Sequence, residues 1–216
     1  MYQFFAAVLI VVAGGIAPLF WMRRATRMRA IGATTIAAGC LLGAIAAGVK
    51  LFAPEPVAVS IAFLDRFALA FRIDALSAFF LVAVFTVCLL AAVYSFHYMD
   101  QPQRVVRTAL HYLFFGLLTA AMALVVTADN IITFVLCWEL MSLTSLCLVL
   151  YDYEQAENRK AAYFYAVFSQ VGAMCIIAAF AVIHAHSGSF GWDGAAGLPE
   201  AIKTVVFVLA LVGFGS

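Results

Sequence analysis

The chain is broken into apolar stretches of about the length a helix needs to cross a lipid bilayer. That pattern limits its fold more than any other feature. Hydrocarbon offers no water to backbone N–H and C=O groups, so a spanning segment has to close its own hydrogen bonds, as a helix does. Seven stretches qualify, over residues 4–22, 31–52, 76–98, 109–126, 131–150, 162–183 and 202–216. The composition agrees: 67% of residues are hydrophobic and only 11% are charged, with a mean hydropathy of +1.09. A soluble domain of this size needs far more polar surface to cover its core. The chain therefore reads as an all-α, polytopic membrane helix bundle of about seven transmembrane helices, resident in the cell (inner) membrane with the lipid bilayer as its solvent. The net charge of +1, with no basic patch interleaved with aromatics, sets nucleic acid aside.

The connections are short except for 53–75 and 184–201, which hold Pro54, Pro56, Pro199 and most of the loop glycine, and so read as turn-forming linkers. Arg23, Arg24, Arg27, Arg29, Arg104, Arg107, Arg159 and Lys160 fall on one side of the alternating spans. Only Lys50, Arg66, Arg72 and Lys203 fall on the other. The positive-inside rule assigns the first group to the cytoplasm and leaves the N-terminus outside. Cationic charge follows the first stretch instead of preceding it, so that stretch reads as a retained helix and not as a cleaved signal peptide. The last stretch stops at Ser216, after Gly213-Phe214-Gly215, with no polar flank, and reads as cut off.

Five cysteines (Cys40, Cys88, Cys137, Cys147 and Cys175) lie within apolar stretches, with no Cys-x-x-Cys pair and no zinc or iron–sulfur spacing. They read as small hydrophobes, so no metal, cofactor or redox centre is expected. His184-x-His186 at the outer end of the sixth stretch reads as an interfacial pair. Asp74, three residues before Ser77, is placed to cap the third helix.

Glu139 is the acid that lies deepest in an apolar run. It is eight residues from the start of the fifth stretch, about 12 Å at 1.5 Å per residue, near the middle of a hydrocarbon layer about 30 Å thick. A charge there costs on the order of 2.5–3.5 kcal/mol on insertion scales, which makes it a functional candidate by default. Ser142 is one turn further on the same face. Ser169 and Gln170 sit at a comparable depth in the next stretch. Neighbouring helices would let these groups share hydrated volume, or serve as ordinary interhelical contacts worth about 0.6 kcal/mol each. No histidine lies mid-helix. His111, at the cytoplasmic end of the fourth stretch, is a candidate proton-uptake relay, and Lys160 opens the sixth beside Asp152, Glu154 and Glu157.

The motifs Phe-Arg-Ile-Asp-Ala-Leu-Ser (71–77), Tyr-Ser-Phe-His-Tyr-Met (94–99), Ala-Asp-Asn (128–130) and Trp-Glu-Leu-Met-Ser-Leu (138–143) resemble the antiporter-like subunits of respiratory complex I. That family includes the large membrane subunits of energy-converting hydrogenases and of multi-subunit cation/proton antiporters. The Trp-Glu-Leu-Met-Ser-Leu-x-Ser run looks most similar to the hydrogenase-4 and formate hydrogenlyase subunit. The resemblance implies that Glu139 is the glutamate of the fifth helix, which pairs with a lysine on a broken seventh helix and gates proton transfer. A Glu–Lys pair about 6 Å apart interacts by roughly 3 kcal/mol at an effective dielectric of 20, enough to act as a bistable switch. Lys160 matches a basic residue that often opens the sixth helix.

The family also implies two inverted repeats. On that pattern residues 1–107 are an N-terminal three-helix region, and residues 108–216 begin the first proton-translocating repeat, incomplete in its fourth helix. The implied function is proton translocation beside other membrane and peripheral subunits of a complex-I-type or hydrogenase/formate hydrogenlyase complex, without a cofactor. The alternatives are a subunit of a cation/proton antiporter, moving Na+ or K+ against protons, and a truncated scaffold that transports nothing.

Overall fold

The computed structural model describes residues 1–53, 55–63, 67–100 and 104–215. Among these, seven α-helices follow one another: α1 (Tyr2–Ile16), α2 (Ala25–Leu51), α3 (Ala75–Tyr98), α4 (Val105–Val126), α5 (Ile131–Val149), α6 (Ala156–Ser187) and α7 (Glu200–Gly215). Counting the 3-10 turns that continue α1 to Phe20 and α5 to Asp152, six of these helical segments are long and apolar enough to cross a membrane, and the chain is a multi-pass membrane protein. The seven expected stretches each hold one of the seven helices, the last being α7 with 16 residues. The fourth and sixth helices begin several residues before their apolar stretches. In α6 the first turn carries Glu157, which suits a helix N-terminus outside the hydrocarbon, where a helix needs no apolar side chains.

Residues 53–75 depart from the linker reading. They hold an antiparallel hairpin, β1 (Val57–Phe63) and β2 (Phe67–Ile73), in the register Val57↔Ile73, Val59↔Phe71 and Ile61↔Leu69. Every second residue is bulky and apolar on both strands, the period that puts side chains on one face of a sheet. That face packs down: Phe71 and Ile73 are buried, and Phe71 meets Phe5 of α1 edge-on at 5.6 Å. Arg66, one of the outer-side cations counted from the sequence, lies outside the described residues.

The hairpin ties one end of the bundle together. Arg72 N–H donates to Thr127 O at 2.7 Å and Asp129 N–H to Ala70 O at 2.8 Å. Asn130 caps α5 by accepting from Thr133 N–H at 2.8 Å, and its amide donates to Ala68 O at 2.7 Å. The 184–201 connection joins the same end, with Ile131 N–H donating to Phe190 O at 2.9 Å and Trp192 Nε1 to Ala128 O at 3.3 Å. His184 and His186 do not converge on a common point, since their Nδ1 atoms meet the carbonyls of Ser189 and Val182.

The opposite end carries the arginines. Arg29 is buried in α2, pairs with Asp100 at 2.7 Å and donates to Phe96 O at 3.0 Å. Arg104 pairs with Asp152, and Arg107 with Glu154, so the start of α4 is clamped to the α5–α6 turn. These pairs give Asp152 and Glu154 specific partners across the turn.

Between the two ends, helices approach closely at small residues, as expected where lipid removes the hydrophobic drive to associate. A Cβ on Gly116 of α4 would stand 3.0 Å from Gly15 Cα and 2.9 Å from Val11 O of α1. The larger core cluster combines α1 to α4 around Val11, Ile36, Phe85 and Tyr112. A smaller one joins α5, α6 and the following loop through Ile131, Ile176, Phe180 and Leu198.

Two outcomes follow for stability. Gly116→Leu, set against backbone, is expected to destabilise the bundle by about 1–3 kcal/mol. Gly48→Ala, where an added Cβ meets nothing within 4 Å, should change stability by no more than about 1 kcal/mol and in the favourable direction. Thermal unfolding in detergent distinguishes them. Asp74 caps α3 by accepting from Ser77 N–H at 2.8 Å, and that hydrogen bond holds its carboxyl below the usual carboxylate range. A lowered value makes the cap's contribution complete above the unfolded pKa of about 3.9 and lost as pH falls through the folded one. The parent should therefore lose stability relative to Asp74→Asn below about pH 4 and match it above about pH 5, since Asn caps as well as Asp.

Candidate functional site

The α5–α6 contact brings four of the sequence candidates together. Glu139 and Ser142 lie three residues apart on one face of α5, and Ser169 and Gln170 are adjacent on α6. Because the helices run antiparallel, the residues meet as two rungs. Gln170 Nε2 donates to Glu139 Oε2 at 3.4 Å, and the hydroxyls of Ser142 and Ser169 hydrogen-bond to each other. Ser142 is buried, Glu139 half-buried and Gln170 exposed along the side of the bundle. The carboxyl thus has a polar neighbour that can hydrogen-bond to it in either protonation state.

A cleft of about 370 Å3 opens beside the serine rung, between Trp138, Ser142, Tyr165, Phe168, Ser169 and Phe214. That volume is ample for several waters, and three hydroxyl-bearing side chains line it. Toward the hairpin end the cleft meets a pile of rings. Trp138 stacks on Phe134 at 5.5 Å and meets Phe214 edge-on at 5.3 Å, while Phe134 also touches Phe180 and Trp192 at 5.7 Å. Tyr165 and Phe214 were not among the sequence candidates. Tyr165 was findable, four residues before Ser169 and hence on its face of α6. Phe214 was not, because its place depends on how α7 packs.

α7 reaches the cleft through a close approach. A Cβ on Gly213 would lie 2.9 Å from Gly172 O and 2.6 Å from an Ile176 side-chain carbon. The last turn of α7 is thereby fixed against α6, and Phe214 is set against Trp138 at the wall of the cleft.

Lys160 and His111 stand apart from this group. Lys160 is exposed near the start of α6, its Nζ 6.0 Å from the Phe164 ring, and nine residues before Ser169, about 14 Å along the axis. His111 stacks on Phe115 at 6.0 Å and meets Tyr151 edge-on at 5.8 Å. Tyr151 follows the end of α5, twelve residues beyond Glu139, so the imidazole is about 18 Å from the carboxyl along that helix direction. Among the described residues no group of three or more His, Cys, Asp or Glu side chains is arranged to hold a metal ion.

Known proteins share both the sequence pattern and the fold. Residues 64–107 match the family described as NADH-ubiquinone oxidoreductase (complex I), chain 5 N-terminus. Residues 128–214, which include Glu139, Ser142, Lys160, Ser169 and Gln170, match the family described as NADH:quinone oxidoreductase/Mrp antiporter, transmembrane region. An uncharacterized protein of Mycobacterium tuberculosis is 41% identical over 100 residues, covering 46% of this chain and 16% of that protein. Hydrogenase-4 component B of Escherichia coli K12 is 28% identical over 150 residues, covering 68% of this chain and 22% of its own length. The chain thus spans well under a third of either curated relative. A chain in the structure of the Mrp complex from Dietzia sp. DQ12-45-1b shares the fold, with a TM-score of 0.78 at 18% identity over 97% of this chain and 23% of that one. The chain belongs to the antiporter-like family of membrane subunits found in complex I, hydrogenase and Mrp-type complexes, and corresponds to the family's N-terminal part.

Proposed function

We propose that this chain is part of a proton-translocating membrane subunit of a complex-I-type NADH:quinone oxidoreductase or an energy-converting hydrogenase complex, with Glu139 as its proton-carrying group. The observation that carries this reading is the Glu139–Gln170 rung halfway along two spanning helices, next to the serine rung that lines a cleft with Tyr165. An isolated carboxyl in hydrocarbon is costly to keep. One that shares a hydrogen bond with a neutral amide, one turn from a hydratable cleft, can gain and release a proton. The serine pair and Tyr165 supply groups that both donate and accept, which a chain of waters needs in order to pass a proton on.

In the family the counter-charge to this carboxyl is a lysine of the seventh helix, and α7 packs against α6 and lines the cleft. Approach and withdrawal of a cation at about 6 Å would bias the carboxyl by roughly 3 kcal/mol at a dielectric of 20. In this reading residues 1–107 brace the bundle and residues 108–216 carry the proton path. Lys160 and His111 belong to its arginine-bearing end, where protons would be taken up. Other membrane and peripheral subunits would couple the path to electron transfer. No cofactor is assigned to this chain.

Glu139→Gln, introduced into the intact membrane complex, should abolish donor-driven proton uptake or release by vesicles while leaving complex assembly unchanged. Pumping at the parental rate in that variant would exclude the role given to Glu139. Proton flux that depends on Na+ or K+ and needs no electron donor would instead favour the cation/proton antiporter. Ser142→Ala and Ser169→Ala, singly and together, should show a coupling of about 0.6 kcal/mol in stability. Each single change should slow proton transfer severalfold without stopping it, because water can replace one hydroxyl.

A further inference from the structure

At the arginine-bearing end, α4 and α5 leave a groove of about 210 Å3 on the side of the bundle. Leu110, Phe114, Cys147 and Leu148 form its walls, and Arg107 and Tyr151 stand at its charged end. A second hollow of about 450 Å3 adjoins it, lined by Arg104, Arg107 and Glu154, with Arg107 common to both. An apolar slot that continues into a charged hollow at the membrane border has the shape of a phospholipid, with an acyl chain in the slot and a headgroup above it.

The charges narrow the headgroup. Arg104 and Arg107 face Asp152 and Glu154, two cations against two acids, paired Arg104–Asp152 and Arg107–Glu154. A neutral cluster of this kind gives a purely anionic headgroup as much repulsion as attraction. A headgroup that carries both a phosphate and a primary ammonium matches it: the phosphate lies against the guanidinium groups and the ammonium against Glu154, whose side chain is 61% exposed. Two donors at the mouth of the slot are also poorly satisfied: Tyr151 Oη is buried without a hydrogen-bond partner, and Arg107 Nη1 makes no hydrogen bond and has only an ion pair with Asp152 at 3.7 Å. Such groups are costly unless an acceptor is supplied. Phosphate and ester oxygens would supply it, after a small rotation of either side chain. The Arg107 guanidinium is already positioned 4.6 Å above the Tyr153 ring.

We propose that this groove and hollow bind one zwitterionic aminophospholipid per chain, with phosphate on Arg104 and Arg107 and ammonium on Glu154. The groove also borders His111, at the end where protons would be taken up, but its charged end lies about 18 Å from Glu139, and its failure would leave the role of Glu139 untouched.

The test is photolabelling of the intact complex in vesicles. The bilayers contain trace phosphatidylethanolamine, phosphatidylglycerol or phosphatidylcholine with a diazirine on one acyl chain, and adducts are mapped by mass spectrometry. Adducts on Leu110, Phe114, Cys147 or Leu148 should form about tenfold more with phosphatidylethanolamine than with the other two, equivalent to a tenfold preference in binding. Leu148→Trp, which fills the slot without touching the charged end, should remove that preference in an assembled complex. Glu154→Gln should reduce it severalfold and, by leaving two cations against one acid, should raise labelling by phosphatidylglycerol. Equal labelling by all three lipids, stronger labelling by phosphatidylglycerol, or no adducts on these residues would overturn the proposal.

Discussion

In lipid, a helix gains nothing by hiding apolar side chains from its surroundings, because the surroundings are equally apolar. Association then depends on backbones that can approach and on polar groups that find each other. Both devices recur through this bundle. Gly15 against Gly116 lets α1 cross α4, and Gly213 against the Gly172 carbonyl brings α7 onto α6. Polar pairs hold the ends and the middle: Arg29 with Asp100, Arg104 with Asp152, and Glu139 with Gln170. The functional candidate is thus one case of a general constraint. What sets it apart is that the serine pair beside it lines a cleft.

The cleft lies between two unlike surroundings. On one side the rings of Phe134, Trp138, Phe180, Trp192 and Phe214 form a dry pile reaching the hairpin end of the molecule. On the other are the hydroxyls of Ser142, Tyr165 and Ser169. A proton can move only where groups both donate and accept, so the polar wall and the ring pile have opposite effects on it. The close approach at Gly213 connects this arrangement to α7, because any displacement of that helix alters the space beside Trp138.

Much of this was legible in the sequence. Apolar stretches of spanning length located the helices, because in a bilayer no other local structure satisfies the backbone. The depth of Glu139 and the i, i+3 spacing of Ser142 followed from helix geometry, and the short loop after α5 made α6 its natural neighbour. Asp74 showed itself as a cap by its spacing from Ser77. The hairpin was hidden for a physical reason: its alternation of bulky residues lies beside Pro54 and Pro56, whose turn-forming character suggested a linker. Its bonds run to residues about 60 positions away, Thr127 to Asn130, and no local pattern announces those. Lys160 and His111 were grouped with the site because each is ionisable, yet the axial rise of their helices carries both far from Glu139. Phe214 and the ring pile depend on tertiary packing and had no signature of their own.

The central claim is that the Glu139 carboxyl takes up and gives up a proton as the complex works. Infrared difference spectroscopy of the intact complex, recorded before and during turnover in H2O and in D2O, reports on it directly. The account predicts a carboxylic-acid carbonyl band that changes during turnover, shifts in D2O and is missing from the Glu139→Gln protein. A turnover-linked carboxyl band that persists unchanged in that variant would contradict it.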